Sequence, residues 1–155
     1  MSRTVFQSTK TYGHDVGLSC CFRQWRATHS HCSLLHGYAL AFRFVFEAEE
    51  LDARNWVADF GALKPLKAVL QEKFDHTLLV AEDDPKRSVL EELDTKHGLA
   101  KVVIVEAAGC ERTAELAYHM ADGWINDQGL ADRVRIVSVE VSEHPSNSAI
   151  YISKD

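Results

Sequence analysis

Alternating hydrophobic and polar positions along the chain predict its first strands. In residues 38–48 (YALAFRFVFEA) a large apolar residue recurs at every second position from Leu40 to Phe46. A period of two is the pattern of a strand with one buried face. Residues 15–26 (DVGLSCCFRQWR) are also strand-like, and residues 56–60 (WVADF) form a short extended segment.

Three further strands are predicted in the second half of the chain. Residues 101–107 (KVVIVEA) are a short, β-branched apolar run that fits a strand better than a helix. Residues 134–143 (VRIVSVEVSE) and 149–153 (AIYIS) flank HPSNS at 144–148, whose proline and small polar residues favour a turn. We therefore expect the chain to finish as a β-hairpin.

Apolar positions spaced by three or four residues predict two helices. The first runs to about Lys73, with Asp59 placed to cap it and Pro65 near its first turn. Its apolar stripe consists of Leu63, Leu66, Leu70 and Phe74. The second helix is expected over residues 113–127 and is ended by Gly129.

The predicted order is strand, strand, helix, a variable segment, helix, strand, strand. This order is typical of an α+β domain whose helices gather on one face of an antiparallel sheet. A chain of 155 residues can bury one proper core. We therefore expect a single domain over residues 1–155, with residues 81–88 (AEDDPKRS) as a surface loop inside it.

Composition and charge narrow the classes of function. Apolar residues make up 46% of the chain and charged residues 26%, which are ordinary globular proportions. The formal net charge of -6 argues against a nucleic-acid-binding surface, because phosphate binding needs clustered Lys and Arg. No apolar run approaches the roughly 20 residues of a membrane span, and the N-terminus lacks the apolar core of a secretory signal. We expect a cytoplasmic protein whose four cysteines are free thiols.

Residues 29–38 (HSHCSLLHGY) concentrate groups that can bind metal or move protons. The side chains of His29 and His31 point to the same side of an extended segment, and His36 can approach them across a turn. Three imidazoles with an open fourth position are the usual ligands of a catalytic zinc ion. Spacing alone leaves a zinc site and a polar, histidine-rich loop both open. Cys32, among these histidines, is either a structural cysteine or a thiol activated by its neighbours.

An Asp-His pair and a glutamate outside this segment are further candidate site residues. Asp75 and His76 follow the first helix, and an aspartate that orients a histidine can support proton exchange with a thiol. Without that contact, they are simply a polar pair at a helix end. Glu143 ends a predicted strand, where its carboxylate is either solvated or accepts two parallel hydrogen bonds from the N–H and NH2 edge of a guanine or pterin ring.

Five segments, taken in chain order, resemble the 6-pyruvoyl-tetrahydropterin synthase and 6-carboxy-tetrahydropterin synthase family. They are residues 32–38, 56–64, 74–79, 112–117 and 142–151. The family pattern contains Cys-x-x-Leu-His-Gly-His, Asp-Phe-x-x-Leu-Lys, an Asp-His pair, Pro-Thr-x-Glu, and a glutamate eight residues before a tyrosine. The matching residues are Cys32, Leu35, His36, Gly37, Asp59, Phe60, Leu63, Lys64, Asp75, His76, Thr113, Glu115, Glu143 and Tyr151. An ordered series of matches from Cys32 to Tyr151 is far more specific than any one of them.

The resemblance implies a T-fold (tunnelling fold), in which subunits form a homo-oligomer, typically a hexamer of two trimers whose sheets close into a β-barrel. It also implies active sites between subunits, with zinc held by three histidines and a pterin as substrate. By position, Cys32 would be the general acid and base, Asp75 and His76 its partners, and Glu143 the anchor of the pterin ring, with Thr113 nearby.

The chain departs from the family pattern at the metal ligands. Tyr38 occupies the place of the last histidine of Leu-His-Gly-His. In the family, the first zinc ligand is the last residue of a strand. If residues 18–22 are aligned with that strand, Phe22 takes the ligand position, and if residues 25–29 are aligned with it, His29 does. We expect His36, with His29 and His31 as substitute ligands, to hold Zn2+; the alternative is that zinc is absent.

The implied activity is that of a lyase making 6-carboxy-tetrahydropterin from 7,8-dihydroneopterin triphosphate, for 7-deazaguanine (queuosine) synthesis. The alternatives are the pyruvoyl-forming reaction of the sister enzymes and a non-catalytic pterin or purine binder that has lost zinc. Arg23 and Arg26 are candidates for binding the triphosphate or are charges on a strand surface, and Arg112 replaces the usual proline before Thr113.

Overall fold

A computed structural model describes residues 2–154. Met1 and Asp155, the ends of the predicted single domain, lie outside the described residues. The strands are β1 (Phe6–Tyr12), β2 (Leu18–Phe22), β3 (His36–Ala48), β4 (Thr77–Ala81), β5 (Val102–Val105), β6 (Val134–His144) and β7 (Asn147–Ile152). The α-helices are α1 (Lys64–Phe74), α2 (Arg87–Thr95) and α3 (Cys110–Asp127). Single 3-10 turns cover His14–Val16, His31–Ser33 and Phe60–Ala62.

The long strand β3 organises the sheet. One edge of β3 pairs with β2 near its start and with β1 along its second half, while the other edge pairs with β6, all antiparallel. β7 continues the sheet beside β6. On the other side, β4 and β5 extend the sheet from β2 as parallel strands. The predicted α+β class is confirmed, with a parallel extension of the antiparallel sheet.

Helices α1 and α3 pack on one face of this sheet, as predicted. The alternation along β3 turns Phe42, Phe44 and Phe46 into the core, where none of the three is exposed to solvent. Phe42 packs against Phe74 of α1 with 5.1 Å between ring centroids, and Phe46 against Trp124 of α3 at 5.6 Å. Aromatic side chains of this size contribute much of the apolar burial that stabilises a domain.

The segment between α1 and α3 contains more structure than expected. β4 is buried on both faces, with Leu79 in the main core and Leu78 and Val80 against α2. The expected surface loop at residues 81–88 is a turn leading into α2, and it buries Asp84. Within residues 2–154, no helix is both long and apolar enough to cross a membrane.

Candidate active site

The pairing of β2 with β3 decides which residues face one another at the candidate metal position. Phe22 lies opposite His36, and Cys20 opposite Tyr38. Between them, Gly37 allows the strands to approach, because a Cβ atom there would lie 3.1 Å from the carbonyl oxygen of Cys20. The strand register therefore places Phe22, and not His29, directly opposite His36 on the neighbouring strand.

Three rings from these strands form an aromatic cluster of Phe22, His36 and Tyr38. Ring centroids are 5.2 Å apart for Phe22 and His36, 5.4 Å for His36 and Tyr38, and 6.2 Å for Phe22 and Tyr38. The ring of His144 lies 6.1 Å from Tyr38 at the far end of β6. Only one of the three cluster positions carries a histidine.

The histidines proposed as substitute ligands lie apart from this cluster. His29 and His31 are exposed in the loop between β2 and β3. The Nδ1 atom of His36 is 2.7 Å from the carbonyl oxygen of Leu34. Across residues 2–154, no group of three or more His, Cys, Asp or Glu side chains is arranged to hold a metal ion. The structure does not bring His29, His31 and His36 together, and the residues present do not fit a three-histidine zinc site.

Tyr38 lies within electrostatic range of two predicted site residues, Glu143 and Cys32. Burial raises the pKa of its hydroxyl, and the nearby groups Glu143, Cys32 and Cys110 raise it further in that order. Its ring is half-buried and packs against the main core. The phenol therefore stays protonated at neutral pH and is available as a hydrogen-bond donor.

Backbone contacts fix the loop that carries Cys32. The Cys32 N–H donates to Oγ of Ser30 at 3.1 Å, and the Cys32 carbonyl accepts from the Gln24 N–H at 2.9 Å. The thiol is free and half-buried. Neither contact uses the Cys32 side chain, so the conformation of the loop does not depend on the thiol.

The start of α3 is tied to the end of β6, where Glu143 lies. The Sγ atom of Cys110, the first residue of α3, donates to the carbonyl of Val141 at 3.0 Å. Burial, with Glu143 and Glu111 adding to it, raises the pKa of the Cys110 thiol to about 11. Sequence reasoning did not identify Cys110, because a lone cysteine before a helix carries no pattern of its own.

Thr113 occupies the first turn of α3 and is buried. It lines a cleft of about 230 Å3 between α3 and β5, together with Glu106 and His119. That cleft does not include Glu143. The structure thus places Thr113 near the same helix start as Cys110, with its own side chain along a separate cleft.

Asp75 and His76 form the expected pair. Nδ1 of His76 lies 2.5 Å from Oδ1 of Asp75, and the imidazole is 88% exposed. The His76 N–H donates to the carbonyl of Ser19 at 2.7 Å, near the start of β2. In the described part of the chain, no hydrogen bond joins either side chain to Cys32.

His76 adopts a left-handed backbone conformation with φ of 57°, which is uncommon for a residue with a side chain. Such residues cost on the order of 1 kcal/mol and cluster at functional sites. We expect His76→Gly to leave the free energy of unfolding unchanged or to raise it by up to about 1 kcal/mol, because glycine adopts this conformation without strain.

Urea unfolding of His76→Gly and His76→Ala measures this effect. Alanine keeps the unfavourable φ and should show no gain in stability. Asn55→Gly is the matched control, since Asn55 also has a positive φ, of 64°, but lies outside the candidate site. A glycine variant of His76 that unfolds at clearly lower urea than the alanine variant would contradict the strain argument.

Arg23 and Arg26, the candidates for binding a triphosphate, are paired with carboxylates. Arg23 donates from Nε and Nη2 to both oxygens of Asp84, at 2.8 and 2.6 Å. Arg26 donates to Asp83 at 2.6 Å. These ion pairs connect the β2–β3 loop to the turn before α2. Because the carboxylates neutralise both guanidinium groups, the two arginines are poorly placed to bind a free anion.

Comparison with known proteins identifies relatives by sequence. A family model described as 6-pyruvoyl tetrahydropterin synthase matches residues 14–154. A 6-carboxy-5,6,7,8-tetrahydropterin synthase of Aquifex aeolicus is 26% identical over 121 residues, which cover 77% of this chain and 75% of that protein. A protein of the same name from Rickettsia conorii is 37% identical over 54 residues, covering 34% of this chain and 39% of that protein.

Solved structures with low sequence identity share the fold. An uncharacterized protein of Wolinella succinogenes matches with a TM-score of 0.79 at 21% identity, over 97% of this chain and 99% of that one. The 6-pyruvoyl tetrahydropterin synthase of Plasmodium falciparum matches with a TM-score of 0.69 at 15% identity, over 96% and 98%. The predicted T-fold is confirmed. Because the family model extends over nearly the whole described chain, this protein belongs to the 6-pyruvoyl tetrahydropterin synthase family.

Proposed function

We propose that this protein is a lyase that converts 7,8-dihydroneopterin triphosphate to 6-carboxy-tetrahydropterin, a precursor for 7-deazaguanine (queuosine) synthesis. The observation that supports the proposal is that Cys32 and Glu143, the candidate proton-transfer group and the candidate pterin anchor, both act electrostatically on the Tyr38 hydroxyl. The names of the Aquifex and Rickettsia relatives support the carboxy-forming reaction over the pyruvoyl-forming one.

Glu143 binds the pterin ring in this proposal. Its carboxylate accepts two parallel hydrogen bonds from the ring N–H and NH2 groups, and such charge-assisted pairs fix orientation as well as adding affinity. Cys32 then exchanges a proton with the substrate side chain that lies beside the ring. Asp75 holds His76 in one tautomer and orientation, so that His76 can pass the proton on.

Assembly of several copies completes the site. Among the described residues of one chain, no hydrogen bond joins the Asp-His pair to Cys32, so we infer that His76 of a neighbouring copy reaches the thiol in a homo-oligomer, a trimer or a hexamer of two trimers. Ile150 and Ile152 on the outermost strand β7 are 56% and 60% exposed, which supports an interface there. Closure of the sheets into a barrel follows from joining such edges.

Incubation of the purified protein with 7,8-dihydroneopterin triphosphate tests the reaction. The expected products are 6-carboxy-tetrahydropterin, triphosphate and a two-carbon fragment, resolved by chromatography. Formation of the pyruvoyl product instead would assign the sister activity. No conversion by an oligomer that still binds neopterin would contradict the lyase proposal.

Glu143→Gln is expected to weaken the binding of neopterin by about 10- to 100-fold, because a hydrogen bond to a charged group contributes roughly 1.5–3 kcal/mol. The amide also turns a donor towards the ring NH2 group. Calorimetric titration measures the change, and Glu140→Gln on the same strand, whose carboxylate accepts from Ser148 at 2.8 Å, is the control. Equal affinities for the Glu143 variant and the parent would remove Glu143 from the site.

A second candidate function is a pterin or purine binder without lyase activity. The observation in its favour is the replacement of two ligand positions by Phe22 and Tyr38 in the aromatic cluster. The binder would hold neopterin through Glu143 and release it unchanged. Product analysis separates this candidate from the lyase.

A further inference from the structure

The aromatic cluster occupies the ligand positions of the family pattern but offers different chemistry. Phe22 supplies no donor atom and is 1% exposed, so its ring belongs to the core. Tyr38 carries a phenol, which is not among the usual zinc ligands, the side chains of Cys, His, Asp and Glu. Only His36 keeps a group that a zinc ion would accept.

Neighbouring side chains do not restore a metal site. The thiol of Cys110 is protonated and hydrogen-bonded to Val141. Nδ1 of His144 accepts from the Ser146 N–H at 3.2 Å. These engagements fit the finding that residues 2–154 contain no group of three or more metal-binding side chains.

The cluster instead joins a ring that carries a hydrogen-bond donor to a neighbouring ring that carries an acceptor. A carbonyl oxygen only accepts, so the 2.7 Å contact with Leu34 places the hydrogen of a neutral His36 on Nδ1 and leaves Nε2 as an acceptor. The Tyr38 hydroxyl is the adjacent donor, on a ring 5.4 Å from the imidazole and perpendicular to it. Among the described residues this hydroxyl has no hydrogen-bond partner.

An acceptor beside a donor is complementary to an alcohol, which needs one of each. We propose that the Tyr38 hydroxyl and Nε2 of His36 hold a hydroxyl group of the substrate side chain by two hydrogen bonds, and that no resident metal ion binds at this position. The proposal rests on the proposed function for the identity of the ligand, a pterin with a hydroxylated side chain. It makes Tyr38 a residue that selects such pterins.

Binding measurements test the role of Tyr38 without requiring turnover. The parent should bind neopterin, which carries side-chain hydroxyls, more tightly than unsubstituted pterin. Tyr38→Phe keeps the ring and removes only the hydroxyl, so it should weaken neopterin binding by about three- to tenfold, the range of one neutral hydrogen bond. Its affinity for unsubstituted pterin should stay within twofold of the parent, and Tyr118→Phe on α3 is the matched control.

Metal analysis tests the second part of the proposal, that no resident metal ion binds at this position. After equilibration with one equivalent of Zn2+ and dialysis, the parent should retain far less than one zinc per chain, and any turnover should be insensitive to a chelator. Tyr38→His combined with Phe22→His restores three histidines and should retain about one zinc per chain. Should burial of Phe22 prevent that double variant from folding, the parent's zinc content and the Tyr38→Phe comparison remain decisive.

Three results would overturn the inference. The first is a zinc content of about one ion per parent chain that is lost in His36→Ala. The second is an equal affinity of the parent and Tyr38→Phe for neopterin. The third is a Tyr38→Phe variant that loses the same factor of affinity for neopterin and for unsubstituted pterin. Failure of the lyase proposal has a different signature, because the parent would then discriminate between the two pterins without forming product.

Discussion

Replacing Cys32 with alanine is expected to lower the turnover of 7,8-dihydroneopterin triphosphate by about 100-fold or more, the typical contribution of a positioned acid or base. The affinity for neopterin should stay within threefold, because in the proposed function Glu143 holds the ring, and backbone contacts hold the loop. Those contacts join Cys32 to Ser30 and Gln24 and do not involve the thiol. Single-turnover kinetics separates the chemical step from binding.

Cys21→Ala is the matched control for this prediction. Cys21 is also a free, half-buried thiol, but it follows Cys20, the partner of Tyr38, on β2, so its side chain points to the other face of the sheet and packs with the cluster under α2. Its removal should leave turnover close to the parental rate. A Cys32→Ala protein that keeps the parental rate while folded and oligomeric would show that another group moves the proton.

The sequence predicted those elements whose buried face has a regular period. β3 is the clearest case, since a slip of one residue would expose Phe42 and Phe44 and place Arg43 in the core. The stripe of Leu66, Leu70 and Phe74 predicted α1 in the same way. Both patterns exist because α1 and β3 share one hydrophobic core.

Elements without such a face were missed. β1 buries only Tyr12 and is held by its pairing with β3, so it shows no apolar period. β4 is buried on both sides and too short to suggest a period. Helix α2 fully buries only Leu90, since Leu93 is partly buried and Val89 exposed, and its other residues are charged or polar, which looks like a loop in sequence.

For the candidate site, the sequence identified the chemistry more completely than the geometry. The family resemblance selected Cys32 and Glu143, which the structure brings near Tyr38. Three histidines within eight residues suggested substitute zinc ligands, but proximity along a loop does not fix the direction of side chains. The register of β2 against β3, which no local pattern reveals, sets Phe22 opposite His36.

Asp84→Ala is expected to lower the free energy of unfolding by about 3 kcal/mol, because removal of one partner from a buried ion pair leaves the other charge uncompensated. The Asp84 side chain is 2% exposed and that of Arg23 is 20% exposed. Asp84 also accepts from the Lys86 N–H at 2.8 Å, so the turn before α2 loses a second contact. Asp83→Ala, which removes an exposed pair with Arg26, is the control and should unfold close to the parent.

The pH dependence of the difference in unfolding free energy between the parent and Asp84→Ala shows whether the Asp84 charge causes it. The hydrogen bond from Arg23, with the Lys86 N–H and the charge of Arg23 adding to it, lowers the pKa of Asp84 below its ordinary value of 3.8, although burial opposes this. A carboxyl group whose pKa is lower in the folded state stabilises the protein above its unfolded pKa. The difference between parent and variant should therefore be constant from pH 7 to pH 5 and shrink as the pH falls below 3.8 through the folded value. A difference that is already lost at pH 5 would contradict a role for the Asp84 charge.

The same variant connects stability with the candidate active site. Nη1 of Arg23 donates to the carbonyl of Ser33 at 3.2 Å, directly after Cys32, while its other nitrogens are held by Asp84. Freed from Asp84, Arg23 would no longer be held in position to fix this loop. Turnover by Asp84→Ala should consequently fall at temperatures where the variant remains folded, although Asp84 touches no substrate. Positioning of this kind is sensitive to shifts of about 1 Å, so a parental rate in the folded variant would show that the backbone contacts to Ser30 and Gln24 alone position the thiol.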